Sequence, residues 1–186
     1  MDDPDPKAFR LAPRQTPHLQ SAASVRYKTT GQLNHFGEML ENIFSPIFEA
    51  TLFPEQYPDV AEFLEHISGF DTVDDESRSE KPVDRTFSSK TLAPQQWDIA
   101  DNPSYKYYSY FIQSNLRLLN LLRVQLGMNT FAYRPHAGEA GEVHHLDTAF
   151  LLADGINHGL NLRKSMGLRL GLDSRPFDSY NMDNIM

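Results

Sequence analysis

The segment PHAGE, residues 135 to 139, sets a histidine, a glycine and a glutamate close together. Gly138 lets the backbone turn without a Cβ penalty, so Glu139 can be presented to the same ligand as His136. An imidazole able to ligate a metal, beside a carboxyl group able to exchange protons, suits metal-assisted hydrolysis. Farther on, INHGL places His158 between Asn157 and Gly159 in an otherwise apolar stretch. Gly159 there permits close approach of a ligand or of another backbone. Both motifs also have a plainer reading. His136 can be a satisfied strand-end histidine beside a solvated Glu139, and His158 a structural histidine.

The other chemistry-bearing residues read more simply. His144 and His145 are adjacent on an expected helix and project about 100° apart, which prevents them from sharing one metal; they read as helix-surface residues. His18, His35 and His66 lack a carboxylate or glycine context. Asp71, Asp74, Asp75 and Glu76, in GFDTVDDES, form an acidic cluster without the alternating ligands of a calcium loop, and read as a solvated turn after a strand. The tyrosines of YKYYSYFIQ are better explained as helix packing than as base stacking. The chain has no cysteine, which removes disulfides, thiol nucleophiles and thiolate zinc sites. Any metal must therefore be held by histidine and carboxylates.

The elements that position these residues follow from periodicity. Leu33, Phe36, Leu40, Ile43 and Ile47 fall at helical spacing, and Pro46 is expected to kink or divide that helix. A short helix leads into the strand HISGFDTV. From Ser77 to about Ser104 the chain is polar and proline-bearing, a long surface loop. Tyr108, Phe111, Asn115, Leu118, Leu119, Leu122 and Leu126 mark a second long helix that stops at Gly127. A strand over 131–134, a helix over 143–153 and a strand over 156–160 complete the order. Alternation of this kind builds a parallel sheet with crossover helices, whose chemistry sits at the carboxyl ends of strands. Residues 1–26, with four prolines, read as irregular and mobile.

Composition sets the outer bounds. At 186 residues the chain accommodates one domain with a core, and 40% hydrophobic with 23% charged residues is the balance of a soluble globular protein. A net charge of -8 argues against nucleic acid or an anionic membrane as partner. No apolar run approaches the roughly 20 residues of a membrane span. The acidic start MDDPDPKAFR is unlike a secretory signal, so a cytoplasmic location is expected.

Taken together, GQLNHFGEMLENIFSPIFEAT, GFDTVDDES, YKYYSYF, RPHAGEAGEVHHL and NHGLNLRK resemble the AMP deaminase family, within the adenosine deaminase-like metal-dependent hydrolases. The resemblance covers approximately Tyr27 to Lys164. It implies an α/β fold, an incomplete (β/α)8 TIM barrel running from about the third helix through the sixth strand. It further implies hydrolysis of AMP to IMP and ammonia with zinc as cofactor. By resemblance, His136 is a zinc ligand and His158 the proton acceptor that orients and deprotonates the attacking water. Glu139 then binds substrate and protonates the purine ring nitrogen beside the attacked carbon. Zinc in such a site lowers the pKa of bound water to about 7.

The chain departs from the family pattern in two places. The family pattern also includes an HxH pair from the first strand and an Asp-Asp pair after the eighth. No His-x-His occurs in this sequence, and Asp2-Asp3 and Asp74-Asp75 stand in the wrong places. One imidazole cannot fix a catalytic zinc, which takes about three protein ligands. Residues 1–26 and 166–186 read as divergent segments flanking a barrel portion over 27–165, whereas a whole barrel of this type takes about 250 residues. The expectation is a partial AMP deaminase chain, inactive alone. The alternative is a non-catalytic shortened subunit that associates with full-length deaminase, since members of the family form oligomers. A purine binder without catalysis ranks below both.

Overall fold

A computed structural model describes residues 18–20, 31–73, 75–77, 92–98, 103–141, 143–165 and 167, with backbone alone at 18–20. The first helix, α1 (Phe36–Leu52), begins where His35 caps it by accepting from the Glu38 N–H at 3.0 Å. Glu38 reaches back to accept from the Asn34 N–H at 2.7 Å, so donors at the helix start are satisfied on both sides. Leu33, Phe36, Leu40 and Ile47 face the core as the spacing predicts, while Ile43 is half-buried and Phe44 is buried in addition. Pro46 does not divide the helix, which continues through it to Leu52. Burial of Phe44, Ile47 and Ala50 on either side offsets a proline cost of about 3 kcal/mol. Helix α2 (Pro58–Glu65) carries its proline in the first turn, where the missing N–H costs nothing.

The strands are short and every pair is parallel. Strand β2 (Gly69–Val73) lies between β1 (His18–Gln20) and β3 (Ala132–Tyr133), while β4 (His136–Ala137) pairs with β5 (Asn157–His158). The chain is thus α/β, as alternation predicts. Gly69 sits where a Cβ would stand 2.3 Å from the Ala132 carbonyl oxygen, so only glycine allows that pairing. Three expectations need correction. Three residues of the stretch read as irregular form β1 and pair with Asp71 to Val73; the remainder of 1–26 lies outside the described residues. The expected strand over 131–134 is broken: β3 ends at Tyr133, and Pro135, unable to donate to a ladder, separates it from β4. Likewise the expected strand over 156–160 ends at His158, and Leu160–Lys164 winds as a 3-10 turn.

Helix α3 (Tyr105–Gln125) is the longest element. Ser104 caps its start, accepting from the Tyr107 N–H at 3.4 Å. At its end, Gly127 takes φ 71°, its N–H bonds Val124, and the Met128 N–H bonds Arg123, which closes the last turn. Its buried face is Tyr105, Tyr108, Ile112, Leu116, Leu119 and Arg123, rather than the full stripe read from the sequence, for Leu118 is 60% exposed. Arg123 can be buried because its guanidinium donates to the Asn129 carbonyl at 2.6 Å, to Asn129 Oδ1 at 2.7 Å and to Thr51 Oγ1 at 3.0 Å. The loop expected between Ser77 and Ser104 is not wholly on the surface. Within its described part, Trp97 is buried against Tyr107 at 4.7 Å, and its carbonyl accepts from the Phe36 N–H at 3.0 Å. Helix α4 (His144–Leu152) packs against α3 and leads into β5. Among the described residues no helix is long and apolar enough to cross a membrane.

Candidate functional site

The sheet ends meet at a cluster of polar side chains. Strand β2 delivers Asp71, fully buried, whose Oδ1 lies 2.9 Å from His136 Nδ1 on β4. A carboxylate only accepts, so Nδ1 carries the proton and Nε2 is left with its lone pair. This is the second-layer contact that fixes the ring of a ligating histidine in metal sites generally. The Asp71 hydrogen bond raises the His136 pKa above the ordinary 6.5, against burial, which lowers it.

Past β4 the backbone turns through Gly138 at φ 74° and Gly141 at φ 66°. At Gly138 a Cβ would meet Leu146 methyls at 2.8 and 3.0 Å, and at Gly141 it would stand 1.9 Å from the Glu76 carbonyl. Neither position tolerates a side chain, which is why the turn reads G-E-A-G. Glu139 projects from it, with its side chain 54% exposed, and its Oε2 lies 3.5 Å from His158 Nε2.

His158 ends β5 in a left-handed conformation, φ 76°, a strained position for a residue with a Cβ. The strain is held by bonds on both sides. The Asn157 N–H donates to the Pro135 carbonyl at 3.0 Å, the Gly159 N–H to Ala137 at 3.0 Å, and the Asn161 N–H to Gly138 at 2.7 Å. The His158 ring meets the His136 ring edge-on, centroids 4.6 Å apart. Thus the three residues singled out in the sequence stand together beside one pair of parallel strands, His136 opening β4, Glu139 in the turn after it and His158 ending β5.

Around them are residues the sequence reading assigned elsewhere. Asp71 and Glu76 were expected in a solvated turn, yet both carboxyl groups are buried; Glu76 Oε2 accepts from the Gly138 N–H at 2.7 Å. The described side chains of the acidic cluster divide between these two and the exposed Asp75, while Asp74 lies outside the described residues. His145, expected on the helix surface, is buried and stacks on Tyr105 at 4.2 Å and 11°; the His144 side chain lies outside the described residues. Burial holds the Tyr105 phenol well above pKa 10, so it remains a donor, and it gives its proton to the His136 carbonyl at 3.0 Å. A signal for Asp71 was present: a charge inside a strand otherwise expected to be buried must be paired. Nothing local in the sequence marks Tyr105 or His145 as neighbours of residue 136.

As a metal site the cluster is incomplete. Among the described residues no group of three or more His, Cys, Asp or Glu side chains is placed to hold a metal ion. The described donor set does not by itself fit zinc, although His136 has the oriented ring of a ligand.

An α/β domain with parallel strands and a histidine–carboxylate cluster beside a strand pair belongs to the class of folds that place ligand sites near strand ends. Comparison makes this specific. The sequence profile of the AMP deaminase family matches residues 16–170, and the chain belongs to that family. It is 55% identical over 139 residues to AMP deaminase 1 of Rattus norvegicus, covering 75% of this chain and 18% of the relative. It is 48% identical over 139 residues to AMP deaminase 3 of Mus musculus, again 75% and 18%. AMP deaminase of Saccharomyces cerevisiae is 46% identical over 138 residues, 74% of this chain and 16% of the relative. The chain therefore spans less than a fifth of the length of these relatives.

Proposed function

We propose that this chain carries one side of an AMP deaminase site, within a portion of a (β/α)8 barrel, and that alone it does not turn over AMP. The observation that carries the proposal is the convergence of His136, Glu139 and His158, with His158 Nε2 3.5 Å from Glu139 and its ring 4.6 Å from that of His136. In this reading the reaction is hydrolytic loss of ammonia from the purine amino carbon; a zinc ion completed by donors outside the described residues would be held in part by His136 and would supply an acidified water. Glu139, on an exposed turn, gives a proton to the ring nitrogen next to the attacked carbon and makes that carbon electrophilic. His158 takes a proton from the attacking water and orients it. The strained backbone at His158 is consistent with a side chain held for geometry rather than for stability.

The test places this chain's matched 139 residues into AMP deaminase 1 of Rattus norvegicus in place of the corresponding segment. Ammonia release from AMP is expected in the chimera. His136→Ala, Glu139→Gln and His158→Ala are each expected to reduce kcat at least 100-fold, in the range of lost general acid–base catalysis. An active chimera indifferent to these substitutions contradicts the assigned roles. The isolated chain with added zinc is expected to release no ammonia above background, and measurable turnover would refute its inactivity.

A second reading has a specific observation behind it. Leu118, Leu121 and Val124 on α3 are 60, 65 and 63% exposed, and Leu151 on α4 is 69% exposed beside them. Leu121, Val124 and Leu151, with Arg117 and Asp154, border an open cleft of about 530 Å³. An apolar helix face of this kind favours association, and the occupant in this reading is a full-length AMP deaminase subunit. Co-purification of the chain with such a subunit would support it.

A further inference from the structure

We infer that Glu76 is a positioning residue that sets the PHAGE turn, and through it the placement of His136 and Glu139. The importance of those two residues rests on the function proposed above. The clamp itself rests only on geometry.

Its side chain is 3% exposed, deeply buried for a carboxyl group. Oε2 accepts from the Gly138 N–H at 2.7 Å, across 62 residues of sequence. That amide lies just past the last residue of β4, in the left-handed conformation that ends the strand. The same Oε2 stands 3.5 Å from His145 Nδ1. The His145 ring lies flat on Tyr105, and the Tyr105 hydroxyl donates to the His136 carbonyl. Glu76 thus fixes the N–H two residues after His136, while its neighbours fix the carbonyl of His136 itself. The main chain around Ala137 is gripped at both ends. Contact continues along the turn, for the Glu76 carbonyl occupies the position a Cβ at Gly141 would take. Glu139 leaves the backbone between those two contacts, so its direction toward His158 follows from them.

The outcome is a local constraint with little weight in the global fold. A hydrogen bond from a buried amide to a charged group is among the stronger kinds, and its loss frees that amide. The experiment compares native chain, Glu76→Gln and Glu76→Ala by amide hydrogen exchange and by the Gly138 and Glu139 amide shifts in 15N–1H spectra. Exchange at Gly138 is expected to accelerate about 10- to 100-fold in Glu76→Ala, corresponding to the loss of a charge-assisted bond. The Gly138 proton is expected to move upfield. Glu76→Gln, which keeps an acceptor oxygen, should recover most of the protection, and the Leu119 amide on α3 should be unchanged in both variants. Unaltered exchange and shift at Gly138 in Glu76→Ala would overturn the inference. So would acceleration at Leu119 equal to that at Gly138, which would make Glu76 a general structural residue. Should Glu76→Ala fail to fold, Glu76→Gln decides by shift rather than by exchange: a neutral acceptor in place of the carboxylate should still move the Gly138 proton upfield, and a Gly138 proton at its native shift overturns the inference. An inactive chimera with the expected Gly138 response would sink the AMP deaminase reading and leave the clamp standing.

Discussion

The body formed by α1 and α3 and the cluster at the ends of β4 and β5 are built by different means. In the body, long helices bury whole side chains such as Phe36, Tyr108, Leu116 and Leu119, each contributing about 1.5–3 kcal/mol. At the strand ends, two-residue strands are held by individual hydrogen bonds accepted by Asp71 and Glu76 and donated by Tyr105 and Asn161, each across more than 20 residues of sequence. The cluster has its geometry set by such contacts, with backbone strain at His158 added to it. Stability and site geometry are therefore separable here, and perturbations can be chosen to strike one or the other.

The largest effect is expected in the body. Leu119→Ala removes a fully buried side chain from α3 and should lower stability by about 2–5 kcal/mol in urea unfolding. The spectra of Gly138 and His158 should remain native wherever the chain is still folded.

Alkali strikes the joint between the two regions. Burial pushes the Tyr133 phenol up to about 12, while its hydroxyl shares a 3.0 Å hydrogen bond with Thr72 Oγ1. Below pH about 10 both folded and unfolded chains keep that proton, and stability is complete. Between about 10 and 12 the unfolded chain ionises first, so stability falls as pH rises, by on the order of 2–3 kcal/mol in total. Urea midpoints measured across this range should flatten in Tyr133→Phe relative to the native chain.

Gly138→Ala tests the cluster alone. It forces a Cβ onto Leu146 and into φ 74°, a cost of about 1–3 kcal/mol. Its signature should be displaced His136 and Glu139 resonances with an intact α3. Smallest is Ser104→Ala, which removes the α3 cap and should cost about 1 kcal/mol in thermal unfolding without moving any cluster resonance.

The same division explains what was legible in the sequence. Helices announce themselves through spacing, so α1, α3 and α4 were placed, with Gly127 as a stop, while the caps His35 and Ser104 were not. The inner face of α3 was misread at Arg123, because a buried guanidinium depends on partners at Asn129 and Thr51 that periodicity does not encode. At the site, His136, Glu139 and His158 stood out through their glycine neighbours, and the structure gathers them beside one strand pair. Asp71 and Glu76 did not, since a run of acidic residues looks solvated until the opposing backbone is known. The small strands are legible only coarsely: Pro135 breaks one, and the left-handed residues at 158 and 159 end another.

The central claim is that the buried Asp71 carboxylate of β2 orients the His136 ring of β4. Long-range 1H–15N correlation spectra of the histidine-labelled chain, recorded above the His136 titration, test this most directly. Donation of the Nδ1–H to Asp71 Oδ1 requires His136 to be the Nδ1-protonated tautomer, with Asp71→Asn altering that state and Leu119→Ala leaving it unchanged in the folded fraction. A His136 ring protonated at Nε2 in the native chain would contradict the account.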